Sequence, residues 1–74
     1  MANSRCDLGV ELRRRLTGSE FDASGGYLND AIYYCSDEIA DNRTRDALYC
    51  AISELRSKGE YHAAHVVSEY LRYF

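Results

Sequence analysis

Residues 46–74 read DALYCAISELRSKGEYHAAHVVSEYLRYF, and this stretch decides the fold. Leu48, Ala51, Ile52 and Leu55 recur at helical spacing and make one apolar face on a helix expected from about Arg43 to Ser57. A second helix is expected from near Glu60 to the C-terminus. Ala63, Val67, Tyr70, Leu71 and Phe74 line its apolar side, with Ala64 and Val66 at the edges. His65-Val66-Val67 is β-branched in part, but the 3.6-residue period covers it better than a strand does. Only Ser57-Lys58-Gly59-Glu60 separates the two helices, and a connection this short makes them antiparallel neighbours.

Further outward, Leu28, Ala31, Ile32, Cys35 and Ile39 form the apolar face of a helix expected from about Gly26 to Ala40, with Tyr27 and Tyr34 at its edges. Ala40-Asp41-Asn42-Arg43-Thr44 breaks it. Near the N-terminus, Leu8, Leu12 and Leu16 make a narrow stripe on a helix expected from about Arg5 to Leu16, with Gly18 as its stop. Thr17 to Gly26 reads as a loop in which Phe21 anchors onto the core. The expected fold is therefore all-α: one domain over residues 1–74, a compact bundle of three to four short helices with a C-terminal antiparallel helical hairpin. A chain of this length buries only about 60–65% of its unfolded surface. Self-association is a common remedy, and a homodimer is expected.

The hairpin also resembles one tetratricopeptide-type unit. In that family a turn glycine, an acidic residue and a tyrosine open the second helix, followed by a small residue. Gly59, Glu60, Tyr61 and Ala64 match, and Leu48 and Ala51 match packing positions of the first helix. Ile52 and Leu71 stand where the family has small residues, no proline closes the unit, and the N-terminal half holds no second copy of what is normally a stacked repeat. The resemblance implies a tight αα-hairpin reached by convergence.

The net charge of −3 is unevenly spread. Residues 1–18 carry +2, residues 19–41 carry −6 without one basic residue, and residues 42–74 carry +1. Within the acidic block, Asp30 and Asp37 share a helix flank. Such a block suits a solvated face, a docking surface for a basic protein patch, or mimicry of a nucleic-acid backbone. Seven tyrosines are many for 74 residues. Tyr33, Tyr49, Tyr61 and Tyr73 fall off the apolar faces and are the interface candidates. The run Arg13-Arg14-Arg15 spreads around its helix instead of forming one stripe. Arg15 is placed to pair with Glu11, while Arg13 and Arg14 point outward. Arg13, Arg14, Arg43 and Arg45 are the candidates for a nucleic-acid interface, although such modules are usually more basic overall.

No phosphate-binding glycine loop, dinucleotide fingerprint or zinc-protease motif occurs. His62, His65 and Glu69 share one flank of the last helix. They supply two metal ligands comfortably, and a tetrahedral site needs more from elsewhere. They are expected to face water or a partner. Cys35 is expected to be a buried, inert thiol. Cys50 falls opposite Leu48, and the three cysteines show no pairing pattern. No cofactor, metal or catalytic set is expected. Without an apolar run of membrane-spanning length or a signal segment, the expected setting is the cytoplasm. These readings converge on a small non-catalytic interaction or regulatory protein. It would bind a protein partner through acidic and tyrosine-rich surfaces carrying Asp30, Tyr33, Asp37, Tyr49, Tyr61, His62, His65, Glu69 and Tyr73. A nucleic-acid-binding regulator is the alternative, and a small metal-dependent protein comes third.

Overall fold

A computed structural model describes residues 7–74. It contains five α-helices among them: α1 (Leu8–Arg15), α2 (Gly18–Ala23), α3 (Tyr27–Tyr34), α4 (Asp41–Ser57) and α5 (Tyr61–Ser68). One 3-10 turn, Glu38–Ala40, leads into α4, and another, Leu71–Tyr73, ends the chain. The expected start of the first helix at Arg5, and Cys6 beside it, lie outside the described residues.

The molecule is built around α4. Thr44, Ala47, Leu48, Ala51, Ile52 and Leu55 are its buried residues, and α3 and α5 both pack against it. Thr44 is polar, yet its hydroxyl donates to the Ala40 carbonyl one turn back at 3.1 Å, so burying it leaves no unmet hydrogen bond. Leu8, Leu12 and Leu16 are buried as one stripe. Gly9 lets α1 come close to α3, because a β-carbon there would stand 3.0 Å from Ile32 Cγ2.

The hairpin between α4 and α5 is closed by a Schellman motif. Gly59 takes a left-handed φ of 78°, the Gly59 N–H donates to the Arg56 carbonyl at 3.1 Å, and the Glu60 N–H donates to Leu55 at 2.8 Å. These bonds satisfy carbonyls at the end of α4 and reverse the chain within three residues. Ala63, Ala64, Val66 and Val67 of α5 are then buried.

Three boundaries differ from expectation, two of them for a local polar reason. The segment read as a loop contains α2. Its start is a capping box, with the Glu20 N–H on Thr17 Oγ1 at 3.1 Å and the Thr17 N–H on Glu20 Oε1 at 2.9 Å. Phe21 packs on the core from this helix as anticipated. The helix expected to reach Ala40 stops at Tyr34. The Asp37 carboxylate accepts from the Ile39 N–H at 3.0 Å, and this competes with helix continuation. Ile39, expected on the apolar face, is consequently 95% exposed. The last helix ends at Ser68 and bends into the 3-10 turn, which carries Leu71 partly buried against the core, with Phe74 just beyond it also partly buried there.

Candidate functional site

The C-terminal bend coincides with a polar network that ties α1 to α5. Arg15 donates to Glu69 Oε1 at 2.9 Å and to the Tyr70 hydroxyl at 3.0 Å, and its guanidinium lies 5.6 Å from the Tyr70 ring centroid. The Tyr70 hydroxyl donates in turn to Glu11 Oε1 at 3.1 Å. Arg14, not Arg15, forms the local pair with Glu11, at 2.7 Å and three residues away. The expected Arg15–Glu11 pair is thus replaced by a long-range one. Helix geometry allows both neighbours to Glu11, but only Arg15 lies where the C-terminal segment arrives. The hydrogen bond from Arg15 is the main cause that holds the Glu69 carboxyl below its ordinary value, and Glu69, then Tyr70, raise the Arg15 guanidinium.

This placement decides what the His62, His65 and Glu69 flank can do. His62 and His65 are exposed, and His65 Nε2 stands 3.5 Å from Glu69 Oε2. The other Glu69 oxygen is engaged by Arg15. Among the described residues, no cluster of three histidine, cysteine or carboxylate groups is arranged to hold a metal ion. Cys35 is buried and its thiol donates to the Ile32 carbonyl at 3.0 Å, whereas Cys50 is exposed.

The four singled-out tyrosines all reach solvent: Tyr33 at 80%, Tyr61 at 68%, Tyr49 at 54% and Tyr73 at 41% exposure. Tyr33 packs edge-on against Tyr34, with ring centroids 5.5 Å apart. Tyr73 lies 6.3 Å from the buried Tyr70 ring. Val10 and Ile39 join them as exposed large apolar side chains, and sequence reasoning missed both. The signal for Ile39 was Asp37, two residues upstream and suited to cap a new turn. Val10 simply falls off the leucine stripe of α1.

Asp30 and Asp37 are exposed, as is Glu38. The arginines of the nucleic-acid alternative are each engaged within the chain. Arg13 lies 5.1 Å from the Phe21 ring centroid, and Arg43 lies 5.9 Å from that of Tyr34. Arg14 pairs with Glu11, and Arg45 bonds Asn42 and the Phe74 carbonyl. Between α1 and α2 lies an open hollow of about 260 Å³, lined by Arg13, Leu16, Thr17, Gly18, Phe21 and Asp22. The one hydroxyl in its lining, that of Thr17, caps α2. No helix of the described residues is long and apolar enough to cross a membrane. No family model, curated protein or solved structure matches the chain.

Proposed function

We infer that this is a small non-catalytic interaction or regulatory protein that binds a protein partner through its exposed tyrosines and its acidic segment. One observation carries the reading. Tyr33, Ile39, Tyr49, Tyr61, Tyr73 and Val10 stand in solvent on a chain with a small core. Single exposed apolar residues are normal, but four tyrosines and an almost fully exposed isoleucine on so small a surface are what interfaces use. Association into a homodimer would cover part of this surface. The proposed setting is the cytoplasm, which suits an exposed thiol at Cys50.

The test is capture from the native host. The full chain is compared with a variant carrying Tyr33→Ser, Tyr49→Ser, Tyr61→Ser and Tyr73→Ser. The expected result is a partner retained by the first and lost by the second, with the helical circular dichroism of both alike. Equal capture by both would contradict the reading.

A further inference from the structure

Ile39 is the most exposed large apolar side chain among the described residues, and the backbone beneath it is well tied. The Asp37 N–H donates to the Tyr34 carbonyl at 3.0 Å, the Ile39 N–H donates to the Asp37 carboxylate at 3.0 Å, and the Ala40 N–H donates to the Asp37 carbonyl at 2.9 Å. A side chain presented by a hydrogen-bonded turn loses less freedom when a partner covers it than one on a loose loop. Tyr33, near the end of α3 and six residues before Ile39, is also exposed.

The chemistry around these two anchors is one-sided. Asp30, Asp37 and Glu38 are exposed, and no ion pair reaches them among the described residues. Ion pairs are made by Glu11, Glu54 and Glu69, elsewhere in the molecule. No lysine or arginine occurs between Ser19 and Asn42. Arg43, the nearest cation along the chain, lies over the Tyr34 ring. Charge complementarity therefore favours a basic occupant. A second copy meeting this corner with its own corner would set like charges against each other, and a nucleic-acid backbone would be repelled.

We propose that the α3-to-α4 corner docks a basic segment of another protein, seating an apolar side chain on Ile39 and Tyr33 and lysine or arginine against Asp30, Asp37 and Glu38. This rests on the interaction-protein reading and gives its acidic surface a specific occupant. A homodimer, if formed, uses a different side of the molecule.

The probe is a labelled helical peptide of leucine, lysine and arginine, titrated against the full chain by fluorescence anisotropy. One control peptide has serine in place of leucine, and another has glutamate in place of the cations. Only the first peptide binds, and it weakens between about 0.05 M and about 0.3 M salt. Ile39→Ser and Glu38→Lys each weaken it about tenfold. Both positions are exposed, so both variants keep the wild-type circular dichroism and unfolding midpoint. Ser53→Ala, on the outer face of α4, leaves binding unchanged. Equal binding of the serine peptide, unchanged affinity in Ile39→Ser, or no binding by any peptide overturns the proposal. If no peptide binds but host capture is still lost in the four-tyrosine variant, this inference falls and the reading beneath it stands. If host capture shows no tyrosine dependence either, both fall.

Discussion

Arg15 and Glu69 are separated by 54 positions, yet they join the two ends of the described chain. Because the Glu69 carboxyl is held low in the folded state, its contribution to stability is full above the ordinary carboxylate value of 4.5 and drains away as pH falls through the folded value. Glu69→Gln should therefore lower the unfolding midpoint at neutral pH, and the two stability curves should converge in acid; curves that stay parallel across that range would dismiss the pair as a stabilising contact. Ile39 and Leu48 make a second contrast at this scale. Leu48→Ala, at a fully buried position, should cost about 2–5 kcal/mol in denaturant unfolding. Ile39→Ser should stay within about 0.5 kcal/mol of wild type. The burial of Leu48 was legible because its neighbours at helical spacing are apolar. The Arg15–Glu69 pair was not, since spacing rules see only partners within a turn or so, and those pointed to Glu11.

At the scale of elements, periodicity located α1, α3, α4 and α5, and local polar bonding set where α3 and α4 end. The apolar period of α3 runs on through Cys35 to Ile39, so pattern alone extends the helix. Asp37 overrides it by capping a new turn. The cap of α2 was written in the sequence as Thr17 followed by Glu20, and the surrounding glycine and serine made the segment look like a loop. Thr17→Ala removes one acceptor of that box and should cost about 1 kcal/mol, with faster amide exchange in residues 18–23. Gly59 tests the hairpin. A β-carbon there meets nothing within 4 Å, so the cost of Gly59→Ala comes from its positive φ alone, about 1–2 kcal/mol. An unchanged midpoint for Gly59→Ala would show that the turn relaxes out of the left-handed geometry.

For the whole molecule, the Cα radius of gyration is 11.0 Å, close to the value of about 11 Å expected of a compact chain of this length. A core this small leaves aromatic surface outside, and the charge on that outside is divided. Asp30, Asp37 and Glu38 at the α3-to-α4 corner form no ion pair among the described residues, whereas Arg13, Arg14, Arg15, Arg43 and Arg45 are held in internal contacts. This segregation was legible as a charge block in the sequence, but the exposure of Ile39 near its C-terminal end was not. Light scattering coupled to gel filtration should give twice the 8.4 kDa chain mass at micromolar concentration, and a mass near 8.4 kDa would remove the homodimer. The most direct measurement of the central claim is oxidative footprinting of the tyrosines, with and without the captured partner. Alone, Tyr33, Tyr49, Tyr61 and Tyr73 should react readily while the buried Tyr70 does not. With the partner bound, at least Tyr33 should be protected, together with Ile39. A bound partner that leaves all four tyrosines as reactive as before would contradict the account.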